Sequence, residues 1–233
     1  MGSPNEIRSE KVLTLSKFVS LCDGQDLFHL KAPLFRGQGK RRNLLPSICR
    51  DQPEVLCVER ERKMLRQFRL QGASLLTPKL TDLELLVVAQ HFGMKTRLLD
   101  WSTNPLAALW FACTSRQAGD VYVYVLDADT FQDEDIYEED PFSHAETLVF
   151  QPRLDNPRVL AQNGWFSLHR YSHSNECFVP LENQSQMRDK LSEWVIPGPE
   201  RMFILNTLSR MGVDDRTMYP GLEGLGRSLN NIS

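Results

Sequence analysis

The chain has 233 residues, of which 41% are hydrophobic and 24% charged, with a formal net charge of -3. That composition suits a globular domain with room for a full core, and it gives no general electrostatic argument for nucleic-acid or membrane surfaces. No run reaches the roughly 18 apolar residues of a membrane span, and the first residues lack the basic and apolar regions of a secretory signal. The five cysteines are odd in number and scattered, which reads as reduced, mostly buried thiols in a cytoplasmic protein.

Residues 10–22 alternate so as to predict a short amphipathic helix, with Val12, Leu15, Phe18 and Val19 facing inward. Leu34-Phe35-Arg36 reads as a short strand halted by Gly37-Gln38-Gly39, and a basic turn, Lys40-Arg41-Arg42, follows. A long helix is predicted from about Pro53 to Gln71, with Met64, Leu65 and Phe68 on one face and a supporting Glu59–Lys63 pair on the other. Thr81-Asp82-Leu83-Glu84 has the form of a capping box, Leu80 and Leu85 sit where a hydrophobic staple falls, and Gly93 is the stop. Gln90 and His91 therefore lie on the last turn of that helix. The next helix opens at Asn104 as N-cap with Pro105 in the first position. Between the two, Thr96, Arg97, Asp100 and Ser102 read as a polar loop.

Val121–Leu126 is apolar on both faces and predicts a central strand. The segment 127–143, with eight acidic residues between Asp127 and Asp140, reads as a solvated, mobile loop. Arg158–Leu160 and Trp165–Leu168 read as two short strands around an Asn163-Gly164 turn. Pro199–Met211 is predicted helical and ended by Gly212, and Tyr219–Leu225 opens a last short helix. No linker divides the chain. Residues 1–29 form a helical lead-in and residues 30–233 a single α+β domain.

The connection from Gln90 onward sets His, Lys, Thr, Arg, Asp and Ser between two rigid helices, a costly arrangement unless it builds a site. Arg36, at a strand end beside glycine, suits a guanidinium forked onto phosphate with the Gly37 backbone close by. The alternative is an internal pair with a carboxylate such as Asp100. His91 reads either as a general base or hydroxyl donor, or as a cation at a helix C-terminus. Asp100 reads as a partner orienting Arg36 or Arg97, and Ser102, Thr103 and Asn104 compete as caps. His169, His173 and Cys177 are spaced four apart, but their loop-like surroundings argue against a metal, and none is expected. There is no P-loop, dinucleotide fingerprint, nucleophile elbow or zinc-protease helix, which sets aside the common ATPases, dehydrogenases, hydrolases and zinc proteases.

Phe35-Arg36-Gly37-Gln38, Leu45-Pro46-Ser47-Ile48 and Gln90-His-Phe-Gly-Met-Lys-Thr-Arg-Leu-Leu-Asp-Trp101 together resemble the bacterial FRG domain family. Pro157–Phe166 and Tyr219–Gly224 match its later blocks, so the resemblance covers residues 30–233. A more distant likeness is to arginine-type ADP-ribosyltransferases, whose early strand carries an arginine that binds NAD phosphate. Phe35-Arg36-Gly37, the Thr96–Thr103 segment, Ala107–Phe111 and Val121–Leu126 follow the order of elements in those enzymes. This resemblance implies an α+β fold with a split, mixed β-sheet flanked by helices, and NAD as substrate rather than a permanently bound cofactor. It assigns nucleotide contacts to Arg36, Gly37, Gln38, Gln90, Thr96, Arg97 and Ser102. The chain departs from that pattern where a Glu-x-Glu is due near Asn156-Pro157-Arg158. Gln162 or Glu223 is then the candidate for an equivalent place, with His91 and Asp100 completing the chemical set.

The leading expectation is thus a nucleotide-using, ADP-ribosyltransferase-like enzyme or NAD glycohydrolase, of the kind found as a toxin or defence effector. Its partners are a nucleotide and a protein or nucleic-acid acceptor, with no membrane. The first alternative is a non-catalytic module that binds a nucleotide or protein. The second is a nuclease or phosphotransferase with Gln90, His91, Arg97 and Asp100 as its working set.

Overall fold

Val121, Val123 and Val125 face one side of strand β4 (Val121–Asp127) and Tyr124 and Leu126 the other, and all five are buried, so β4 needs a layer on each face. The structure, a computed structural model, describes residues 7–24, 27, 29–31, 33–50, 57–133, 135–153 and 156–230. β4 sits inside a seven-stranded sheet ordered β1 (Arg8–Lys11), β9 (Leu191–Ile196), β4, β2 (Pro33–Gln38), β3 (Leu98–Ser102), β6 (Gly164–Leu168), β5 (Leu148–Phe150). β1 runs parallel to β9 and the other pairs are antiparallel, so the sheet is mixed. Strands β7 (Tyr171–Ser172) and β8 (Cys177–Phe178) form a separate two-stranded ladder.

Helices flank this sheet. Helices α1 (Leu15–Cys22), α4 (Pro105–Cys113) and α7 (Arg201–Arg210) bury Phe35, Val123, Val125 and Trp194. Helices α2 (Cys57–Gln71) and α3 (Asp82–His91) bury Leu98, Phe150, Phe166 and Leu168. The opposite face, carrying Leu34, Leu99, Trp101 and Tyr124, is covered by Leu44, Phe131 and Leu181 from connecting segments and by Met187 from a short helix. The remaining helices are short: α5 (Pro157–Ala161), α6 (Ser185–Arg188), α8 (Asp215–Met218) and α9 (Leu222–Leu229). None of the helices among the described residues is long and apolar enough to cross a membrane.

The capping signals hold. Thr81 and Glu84 make both bonds of the capping box, and Asn104 accepts the N–H groups of Leu106 and Ala107 with Pro105 in the first turn. Several other expectations need correction. Residues 10 and 11 belong to β1, paired with β9, and α1 begins only after Thr14 caps it. That helix is held through Leu15 and Phe18, one turn apart, which leaves Val19 exposed. Gly37 and Gln38 do not halt β2, because its ladder to β4 runs on to Gln38↔Tyr122. The helix expected from Pro53 is described from Cys57, and residues 53–56 lie outside the described residues. The presumed loop before α4 is strand β3, paired along its length with β6. Arg158–Leu160 is helical, since Asn156 caps α5 and Pro157 sits in its first turn, the same pair of signals that opens α4. The acidic segment is anchored by buried Phe131, Ile136 and Phe142 and by a 2.6 Å pair from Arg62 to Asp140.

The sheet is one ladder rather than two, but it narrows at the β2–β3 seam, where Phe35↔Ser102 is the single pair in register. On the helix side of that seam, a Cβ added to Gly37 would lie 1.9 Å from the Ala108 carbonyl oxygen and 2.7 Å from the Ala112 nitrogen. Gly37 therefore sets how closely α4 approaches β2. Gly37→Ala should lower stability by about 2–3 kcal/mol, the cost typical of overpacking, read as a lower urea midpoint with unchanged slope.

Candidate functional site

Past Phe35↔Ser102 the two strands part, and Arg36, Gly37 and Gln38 pair with β4 alone. The Arg36 guanidinium spans the gap. Its Nη1 donates to the Asp100 carbonyl at 2.7 Å and lies 3.7 Å from Asp100 Oδ2. Gln90 Nε2 donates to Asp100 Oδ1 at 2.8 Å, and the Thr96 hydroxyl donates to Gln90 Oε1. Thr96 in turn donates its N–H to Ser47 Oγ at 3.3 Å and accepts the Ile48 N–H on its carbonyl at 3.3 Å. Arg36, Ser47, Gln90, Thr96 and Asp100, which come from three separate sequence blocks, thus form one hydrogen-bonded chain. The Arg36 side chain is 14% exposed. Burial pulls its pKa down to about 10, with Asp100 opposing and Arg50 adding to the fall, so it stays charged at neutral pH. Its buried Nε has no hydrogen-bond acceptor among the described residues.

A pocket of about 170 Å³ opens along this unpaired side of β2. Arg36, Lys40, Arg42 and Arg50 line it together with Gln38, Ser115 and Gln117, and among the described residues no carboxylate does. Such an arrangement of forked and point cations suits a phosphate or another compact anion. Gly37 and Gly39 line it too, but their missing side chains make room for α4 and for Ser115, not for a ligand. The basic turn at 40–42 was legible as charge. That Arg50 joins it follows from the Ser47–Thr96 bond, which ties down the segment leading to it.

The other expected residues lie elsewhere. Arg97 is a core residue: its Nε pairs with Glu61 Oε2 at 2.8 Å, its N–H donates to Glu61 Oε1 at 2.6 Å, and its guanidinium stacks 4.3 Å from the Phe142 ring centre. Burial raises the Glu61 pKa while Arg97 opposes it. Glu61 went unnoticed in the sequence, although it stands one turn before Leu65 on the apolar stripe of α2. Ser102 Oγ donates to the Gln162 carbonyl at 2.6 Å and accepts the Asn104 N–H at 2.9 Å, and Gln162 Nε2 donates to the Met218 carbonyl at 3.0 Å. Those bonds latch the end of β3 to α5 and α8.

His91 and Glu223 come together in a second cluster that does not line the basic pocket. Burial lowers the His91 pKa, Arg158 lowers it further and Glu223 opposes them. Glu223 is held by Arg227 at 2.9 Å, and Tyr219 lies between the guanidinium groups of Arg158 and Arg227, 4.7 and 3.9 Å from its ring centre. No group of three metal-binding side chains occurs among the described residues. His169 is instead a buried link: Trp101 donates to Ser167 Oγ at 3.0 Å, which lies 3.1 Å from His169 Nε2. The cysteines Cys22, Cys49, Cys113 and Cys177 are free thiols, and burial pushes Cys22 and Cys113 up to about 12, far from nucleophilic thiolates.

The FRG domain family matches residues 31–121, from just before β2 to the first residue of β4. An FRG domain is therefore present, and its stretch contains the Arg36–Asp100 chain and all the residues that line the basic pocket. No curated protein and no solved structure matches the chain.

Removing one partner of the core ion pair should be severe. Glu61→Ala is expected to cost about 3–5 kcal/mol, because it strands the Arg97 charge, and chemical denaturation would show a cost well below that if the pair were peripheral. Burial, with Arg36 and Arg97 adding to it, holds His169 near 3, against 6.5 for an ordinary imidazole. The unfolded chain then takes up a proton that the folded chain refuses. Stability should fall as pH drops from 6.5 toward 3, and the fall should be shallower in His169→Gln. Equal slopes of unfolding free energy against pH in the two proteins would contradict this assignment.

Proposed function

We propose that this FRG-domain protein binds the phosphates of a nucleotide in the basic pocket beside β2. The observation that carries the reading is the lining itself: four cationic side chains and, among the described residues, no carboxylate. Arg36 and Arg50 are half-buried while Lys40 and Arg42 are exposed, and such a cluster of like charge is unfavourable alone, which an anion relieves. Arg36 supports the same reading, since it lines the pocket and its buried Nε lacks an acceptor among the described residues while Nη1 holds the Asp100 carbonyl.

Transfer of ADP-ribose from NAD asks for more. It needs a carboxylate placed to stabilise a ribosyl cation next to the phosphate site. Residues 156–158 form a helix start, Gln162 is bonded to Met218, and Glu223 is bonded to Arg227, so none of these supports the role, and among the expected residues it falls to Asp100 beside Arg36. A role as a toxin or defence effector rests on the resemblance alone. A nuclease or phosphotransferase set is not favoured either, because Arg97 is locked into the core by Glu61. The reading therefore stops at binding, and nicotinamide release from NAD by the purified protein is the assay that would extend it to catalysis.

Arg36→Ala is a poor probe, since it also releases β3. Lys40 and Arg42 line the pocket from the turn after β2 and make a cleaner pair. In calorimetric titrations with ADP and with pyrophosphate, the Lys40→Ala/Arg42→Ala double variant should bind at least about tenfold more weakly, at an unchanged melting temperature. Undiminished affinity in that variant, or no binding to the intact protein, would overturn the assignment.

A further inference from the structure

We propose that Asp100 accepts a hydroxyl of the ribose attached to the bound phosphates, so that the ligand class is a ribonucleotide. This rests on the phosphate pocket proposed above. Arg36 belongs to both places: it lines the pocket, and its Nη1 contacts Asp100. The carboxylate therefore stands one guanidinium away from the anion.

The Asp100 side chain is held yet open. Its carbonyl is fixed by Arg36, and its Oδ1 accepts from Gln90 Nε2 at 2.8 Å. The Gln90 amide has one orientation available, because the carboxylate only accepts, so Nε2 faces it and Oε1 is left to accept the Thr96 hydroxyl. Oδ2, by contrast, has Arg36 Nη1 at 3.7 Å, beyond hydrogen-bond length, and the side chain is 64% exposed. The result is an ionised acceptor with unused lone pairs, immobilised from two sides. Its charge repels a phosphate, so its suitable ligand partner is a neutral donor. A ribose presents such donors within a few bonds of its phosphate, and a fixed carboxylate binds them without reorganising. An Asp100 that served only to orient Arg36 and Gln90 would not distinguish ligands by their hydroxyls.

The test titrates ADP, 2′-deoxy-ADP, 3′-deoxy-ADP and pyrophosphate into the intact protein and into Asp100→Asn. Asparagine keeps an oxygen acceptor for Gln90, and thermal melts of both proteins check that the fold is unchanged. The intact protein should prefer ADP over at least one deoxy analogue by about tenfold, as expected for losing a hydrogen bond to a charged group. In Asp100→Asn that preference should fall to about one, while pyrophosphate binds as tightly or more tightly, since a nearby negative charge has gone. Equal affinity of the intact protein for ADP and both deoxy analogues would overturn the ribose assignment while leaving the pocket intact. So would a preference that survives in Asp100→Asn, or a variant that loses pyrophosphate as well. If neither ADP nor pyrophosphate binds the intact protein, the phosphate reading fails and the ribose assignment with it.

Discussion

The bond from Arg36 to the Asp100 carbonyl is the contact on which the rest of this architecture depends. β2 and β3 are neighbours in the sheet but share one pair in register, so the polar backbone groups along the seam lack their usual partners. A carbonyl that has left the ladder needs another donor, and the guanidinium supplies it at Asp100. Arg36 therefore does with a side chain what the ladder does elsewhere. It lets the strands part without abandoning the sheet, and the parting leaves the second half of β2 open along one side. The helical layer enforces the same geometry, because α4 lies against the backbone of Gly37, where any side chain would collide with it.

How much of this could be read from residues alone depends on the distance between cause and effect. The helices announced themselves through local signals: Thr81 with Glu84 opens α3, and Asn104 with Pro105 opens α4. Asn156 with Pro157 is the same signal, but the β-branched Val159 between Arg158 and Leu160 competes with it, so the segment that forms α5 also reads as a strand. β3 was hidden differently. Leu99-Asp100-Trp101-Ser102 does alternate, but over only four residues at the end of a run of His, Lys, Thr and Arg, and its polar members serve the seam and the latch to α5. The candidate site was legible for Arg36, Gln90, Thr96 and Asp100, which carry distinctive motifs. Arg97 belongs to the same motif but turns into the core, and its partner Glu61 lies 36 positions away on another helix. Nothing local in either residue marks the other.

The two arginines show what separates a structural charge from one available to a ligand. Arg97 is buried, and its ion pair, carbonyl contact and aromatic neighbours come from within the core. Breaking that pair costs stability and frees no surface. Arg36 is only partly satisfied: one bond to a carbonyl, a longer approach to a carboxylate, and Arg50 close enough to depress its pKa. Two members of one motif thus carry opposite work. One is held by a dedicated carboxylate and the other is left with unspent capacity at the lip of a pocket.

The chain does not lack acidic residues to neutralise that pocket. It carries 30 of them against 27 basic ones, and the segment after β4 is densely acidic. That segment instead sends Asp140 to Arg62 on α2, and Asp127, the last residue of β4, pairs with Lys190, on other parts of the surface. Glu193, nearly buried on β9, takes Arg41, the middle residue of the basic turn, and leaves Lys40 and Arg42 on the pocket side. The alternation is a matter of direction: in an extended turn, neighbouring side chains point apart, so pairing Arg41 to the sheet turns its neighbours toward the gap beside β2. The electrostatic imbalance of the pocket is therefore a product of the fold, built by the strand that opens the seam and the turn that follows it.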